Sequence, residues 1–150
     1  MYINTIYREQ SFSVSKNQLW SFISQPANLE KITPGDLGFT ILTPQSGTMY
    51  PGQLIEYTVK PFGFFALNWI TEITHVQEGH YFVDEQRLGP YRLWHHEHFL
   101  KEENGKTLMI DKVHYVLPFG IFGKILAPLV QHRLKKIFDF REKKLRILFE

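Results

Sequence analysis

Residues 3–14, INTIYREQSFSV, alternate apolar and polar side chains as a half-buried strand does. Ser15 then opens SKNQ, a capping box closed by Gln18, and Leu19, Trp20, Phe22 and Ile23 supply the apolar stripe of a short helix. Pro26 stops that helix, and ANLEKITP reads as a second short one ending before Pro34. From Phe39 the alternation has period two for a long stretch, with strands expected near 39–44, 53–60, 67–76, 80–88, 91–102 and 107–116. The breaks PQSGTMYPG, PFGF, QEG, GP and ENGK are too short for crossovers, so successive strands are expected to be antiparallel neighbours. After Pro118 the period changes. Ile121, Phe122, Ile125, Leu126, Leu129, Val130, Leu134, Ile137, Phe138, Leu145 and Leu148 follow helical spacing, Pro128 is expected to start or kink the helix, and one long helix is expected from about Pro128 to Leu148. An antiparallel sheet must cover its apolar face, and only this helix is large enough to do so. The pattern predicts an α+β fold spanning 1–150 as one domain. In it, a curved antiparallel sheet of about seven strands wraps the long C-terminal helix, with two short helices after the first strand.

Composition narrows the chemistry. There is no cysteine, which excludes disulfides, thiolate zinc sites and cysteine nucleophiles, and fits a reducing compartment. The N-terminal residues alternate and lack the apolar run of a signal peptide. The stretch YVLPFGIFGKILAPLV is shorter than a membrane span and is interrupted by Pro118, Lys124 and Pro128. The expectation is a cytoplasmic protein with no stable membrane insertion. A net charge of +2 gives no footprint for a nucleic-acid partner. Basic residues do cluster between Gln131 and Arg146, opposed only by Asp139 and Glu142. The helix stripe is needed to close the sheet, so this run is read as its solvated back. Transient docking on a membrane or a protein is the competing role. Aromatic residues make up 15% of the chain, which calls for a ring-rich core or a ring-lined cavity.

Several segments carry a family resemblance: SVSKNQLWSFISQPANLEKITP, LNWITEI, YFVDEQRLGPYRLWHHEHF, TLMIDKVHYVLPFG and FDFREKKL. Together with the element order they resemble the SRPBCC superfamily, which takes in START domains, birch-pollen allergens and polyketide cyclases, and within it a bacterial branch of uncharacterised ligand-binding proteins. The resemblance covers nearly the whole chain. It implies the helix-grip fold and an elongated cavity for an apolar small molecule between sheet and long helix. Function does not follow from it, because the scaffold carries binders, transporters and cyclase/dehydrase-like enzymes alike.

Strand phase sorts the polar residues by face. Glu97 and Lys101 mark the outer face of one strand, leaving Trp94, His96, His98 and Leu100 inside. Glu85 and Arg87 do the same for Phe82, Asp84, Gln86 and Leu88. Lys112 turns Asp111 and Tyr115 inward, and Glu72 turns Trp69, Thr71 and Ile73 inward. The candidate ligand-binding set is therefore Trp69, Phe82, Asp84, Gln86, Trp94, His96, His98, Asp111 and Tyr115. Two inward acids need partners, and two imidazoles on neighbouring strands can supply them by charge-assisted hydrogen bonds. His95 and His114 fall on the wet face. No metal motif of defined spacing, phosphate loop or dinucleotide fingerprint is present, so neither metal nor cofactor is expected. Three functions compete. The first is binding, with or without transport, of a hydrophobic small molecule such as a lipid, isoprenoid, quinone or polyketide-like ring. The second is a cyclase, dehydratase or isomerase on a similar ligand, with His96 or His98 as acid or base, Asp84 or Asp111 orienting it and Tyr115 donating to an oxyanion. The third is an interaction module using the basic helix and PFGIFGKILAP. Oligomeric state is not legible.

Overall fold

The fold is described from a computed structural model covering residues 2–44 and 46–150. Strand β1 (Asn4–Phe12) leads to helix α1 (Lys16–Ile23), then to two 3-10 segments at Pro26–Ile32 and Gly35–Leu37. Strands β2 (Thr40–Ile41), β3 (Gln53–Val59), β4 (Leu67–Gln77), β5 (Tyr81–Leu88), β6 (Leu93–Glu103) and β7 (Lys106–Val116) follow, and helix α2 (Gly120–Phe149) ends the chain. All seven strands form one antiparallel sheet in the order β1-β7-β6-β5-β4-β3-β2. The Ser15 capping box is present, with its hydroxyl accepting from the Gln18 amide.

Three expectations are corrected. The strand expected at 39–44 is reduced to Thr40–Ile41, and the second short helix is the pair of 3-10 turns, because Pro34 breaks the backbone ladder between them. Gln45, inside the expected break PQSGTMYPG, and Met1 lie outside the described residues. The long helix begins at Gly120, not near Pro128. Proline removes one intrahelical donor and frees the carbonyl one turn back. Lys124 and Pro128 both sit on an exposed part of the helix, where water can satisfy that carbonyl. The helix starts through Phe119 and Gly120, both at positive φ (67° and 52°). Gly123 permits this entry, since a Cβ there would lie 2.3 Å from the Pro118 carbonyl oxygen.

The sheet curves around α2. Register shifts at Ile70/Thr71 and Ile73/His75 in the β4–β5 ladder add local twist. One core cluster joins Tyr57, Trp69, Ile73, Trp94, Val113 and Tyr115 to Leu134 and Phe138 of α2. A second packs Phe12, Leu19, Trp20, Phe82 and Met109 against Leu145. Polar ties fasten β1 to the helix: Gln10 Nε2 donates to the Glu142 carbonyl (2.9 Å) and Arg8 Nη2 to Asp139 (2.8 Å).

Leu145 is 1% exposed and Leu148 48%, although they stand three residues apart on one helix. Leu145→Ala should cost about 2–5 kcal/mol and Leu148→Ala less than about 0.5 kcal/mol in urea unfolding. Equal costs would contradict the rotation of α2 described here.

Candidate functional site

Between α2, the inner face of the sheet and the short helical segments lies a cavity of about 490 Å³. Its wall is mostly apolar. Ile55, Tyr57, Trp69 and Ile73 come from β3 and β4, and Val130, Ile137 and Phe138 from α2. Four rings build one side: Tyr57 stacks on Trp69 (5.6 Å), Trp69 meets Trp94 edge-on (5.4 Å), and Tyr91 lies 4.9 Å from Trp94. The Tyr57 hydroxyl shares a buried hydrogen bond with Thr71 Oγ1 (3.1 Å), and burial pushes the phenol well above its usual pKa.

The polar centre comes from three central strands. Register sets Asp84 opposite His96 and His98 opposite Asp111, so all four side chains project from the same face. His96 Nε2 donates to Asp111 Oδ1 (2.9 Å) and His98 Nε2 to Asp84 Oδ2 (2.7 Å). His98 Nδ1 lies 2.9 Å from Asp111 Oδ1, and His96 Nδ1 is farther from Asp84, at 3.4 Å. The two imidazoles lie face to face but tilted by 35°, with centroids 3.6 Å apart. Burial works against charge on every member, and the outcomes differ. For Asp111 and Asp84 the neighbouring imidazoles outweigh burial and hold both carboxyls below the usual range. For His98 the two carboxylates outweigh burial and raise its pKa; for His96 burial and the charge of His98 prevail and lower it. The tetrad therefore favours charge on both carboxyls and on His98, and disfavours it on His96.

Asp84, His96 and His98 also place three metal-ligating atoms within 4.8 Å of one another, facing the cavity. The four ring nitrogens of His96 and His98 already lie 2.7–3.4 Å from a carboxylate oxygen of Asp84 or Asp111, so an ion would have to displace those contacts.

Of the expected ligand-contact residues, Trp69, Phe82, Asp84, Trp94, His96 and His98 line the cavity. Asp111 stands behind the wall, in a small polar recess with Gln10 and Arg141. Tyr115 is 1% exposed and packs beneath Tyr91 at 5.7 Å, away from the cavity wall. Gln86 turns away as well. Its amide clamps the β5–β6 turn, donating to the Tyr91 carbonyl (2.6 Å) and accepting from the Tyr91 amide (3.2 Å). Gly89 leaves room for that clamp, since a Cβ there would sit 2.5 Å from Gln86 Oε1. His95 meets Glu85 (2.8 Å) and His114 meets Thr5 (3.1 Å), both on the outer face.

Sequence reasoning missed Tyr57, Tyr91, Arg133 and Arg141, all on the wall. Arg141 had a signal: it occupies the helical stripe between Phe138 and Leu145 where an apolar residue is expected. Its guanidinium lies 5.3 Å over the Phe138 ring, and its Nε is buried with no hydrogen-bond partner among the described residues.

Residues 39–149 match the model of a family described as "Domain of unknown function (DUF8410)". The chain belongs to the DUF8410 family. Among curated protein sequences none matches it. Solved structures with the same architecture include protein Ms6760 from Mycobacterium smegmatis, at 16% identity and TM-score 0.69 over 96% of this chain and 89% of that one. Norcoclaurine synthase from Thalictrum flavum, in complex with dopamine and hydroxybenzaldehyde, gives 17% identity and TM-score 0.66 over 96% and 87%. Ara h 8.0201 gives 15% and 0.61 over 95% and 97%. These likenesses show that this DUF8410 chain has the helix-grip fold. Among the described residues no helix is long and apolar enough to cross a membrane.

The tetrad makes stability pH-dependent, with a sign for each group. His96, lowered in the fold, contributes stability that is lost as pH falls below about 6.5 toward its folded value. The depressed carboxyls extend that loss below about pH 4. His98, raised, contributes stability present below about pH 6.5 and lost as pH climbs through its folded value. Urea unfolding across pH should show a maximum near neutrality that flattens in a His96→Ala/His98→Ala double variant. His98→Ala strands two buried carboxylates on one imidazole and should cost about 3–5 kcal/mol. Asp111→Asn, whose amide oxygen still accepts, should cost less. Dialysis against a strong chelator should leave thermal unfolding unchanged.

Proposed function

We propose that this protein binds a hydrophobic small molecule, such as a lipid, isoprenoid, quinone or polyketide-like ring, inside the helix-grip cavity. The carrying observation is the cavity itself: its volume of about 490 Å³ falls within the range of small-molecule sites, and its apolar wall is broken by a few convergent polar groups. Tyr57, Thr71, Asp84, His96, His98 and Arg141 give a ligand one polar end to register against; the ring wall and the α2 aliphatics take the rest. This fits the expected placement in a ligand-binding SRPBCC branch and a cytoplasmic setting.

An enzyme reading is the alternative, favoured by His96 and His98 reaching the wall with carboxylates behind them, as a general acid–base pair requires. That a protein of this fold is named norcoclaurine synthase supports the scaffold's capacity for chemistry. The oxyanion donor in that case is Tyr57, which lines the cavity, rather than Tyr115.

Protein purified from its native host should release an apolar compound on organic extraction, identifiable by mass spectrometry. Val130→Trp, which fills the cavity from α2, should lower the amount retained by at least about tenfold with the fold intact. Equal retention in both proteins would place the compound elsewhere. Turnover lost in His96→Ala with binding kept would decide for the enzyme.

A further inference from the structure

The sheet end carrying the cavity mouth differs from the rest of the surface. Three connections meet there: the β3–β4 hairpin, the β5–β6 turn and the β7–α2 link. Phe64, Phe65, Phe119, Ile121, Phe122 and Ile125 are 69–85% exposed at this end. Large rings standing free in this number form a patch that monomeric soluble proteins rarely show without a use. The patch is continuous with the cavity, because Phe62, Phe119, Leu126 and Leu129 belong both to the exposed set and to the wall. Phe119 carries a further mark: a bulky residue at φ 67°, in the left-handed region that favours glycine, stands 76% exposed at the mouth.

Charge says what this face meets. No acidic residue occurs in 57–71, 86–96 or 112–138, which build most of this end, and Lys60, Arg92 and Lys124 are exposed there; Asp36, held beside Lys60 by the Lys60–Leu37 backbone bond, is paired with Arg133. The opposite sheet end carries Glu78 in the β4–β5 turn and Glu102 and Glu103 at the end of β6, interspersed with Lys101 and Lys106. The mouth thus joins exposed rings to cations, whereas the far end mixes both signs. A second copy is a poor occupant, since a two-fold contact through this face would gather Lys60, Arg92 and Lys124 of both copies into one interface. An anionic lipid surface suits both features, taking the rings into its interface and the cations at its headgroups.

We propose that the cavity-mouth end docks on anionic lipid bilayers, with the tips of the β3–β4 hairpin and the first turns of α2 inserted. The contact thus lies on the apolar start of α2 rather than on the basic stretch 131–146. Docking there sets the cavity opening against the lipid phase, so an apolar ligand need not cross water to enter. The exposed rings and cations are there whatever fills the cavity.

The test is flotation of the full chain with phosphatidylcholine vesicles, with and without phosphatidylglycerol. Wild type should float with the anionic vesicles and much less with the neutral ones, and added salt should reduce it. Phe64→Glu/Phe65→Glu and Ile121→Glu/Phe122→Glu should each weaken the association by at least about tenfold. Lys124→Glu should weaken it, whereas Lys106→Glu, at the far end, should not. All these positions are exposed, and an unchanged thermal midpoint will show that the fold survives. Wild type that stays with neither vesicle, or double variants that float like wild type, would overturn the proposal. A dimer dissolved by the ring substitutions without vesicle binding would also overturn it and assign the face to a second copy. If docking holds while extracts carry no ligand, the cavity reading fails alone.

Discussion

Two carboxylates sit on the inner face of the sheet, where water cannot solvate them, and much of the interior follows from how they are matched. Desolvation costs several kcal/mol per ion, so Asp84 and Asp111 are tolerated only because His96 and His98 stand directly across the β5–β6 and β6–β7 ladders. The match works only in one register. A slip of one residue would turn the imidazoles to the outer face and leave both acids buried without partners. The tetrad therefore cross-links three central strands and pins their alignment while facing the space that α2 leaves open.

That space exists because of what α2 does not bury. Leu134, Phe138 and Leu145 close the two core clusters, while Arg141 interrupts the stripe. At that position a guanidinium, not a packed leucine, faces the inner space and lines the cavity. The Gln86 clamp then sets Tyr91 over Trp94 and fixes the ring wall on the opposite side.

Strand phase was legible wherever a charged residue marked the wet face. Glu97, Lys101, Lys112 and Glu72 were enough to turn Trp94, His96, His98, Asp111 and Trp69 inward. Phase alone could not separate facing inward from facing the cavity. Tyr115 is inward yet covered by Tyr91, a residue delivered by the β5–β6 turn, whose path depends on Gln86 and Gly89. Gln86 itself was misplaced because alternation treats a strand end like its middle, and a nearby turn can recruit an amide. The helix start was misread for a related reason. Local rules give Pro128 a breaking role, but the cost falls where water can reach the freed carbonyl. Arg133 and Arg141 were read as part of a solvated back, since a basic run does not reveal which of its members the helix turns toward the interior.

The polar groups around the tetrad also bear on what charge the cavity would accept. Asp84 stands on the wall with Asp111 behind it, and Arg133 and Arg141 reach the same wall from α2. Arg133 already pairs with Asp36, whereas the Arg141 Nε has no partner among the described residues. A guest with a hydroxyl or carbonyl at one tip would enter without a counterion. A guest bearing a carboxylate would meet Asp84 in a desolvated space, and Arg141 is the group placed to offset it. Such an interior would select its guest's charge as well as its shape.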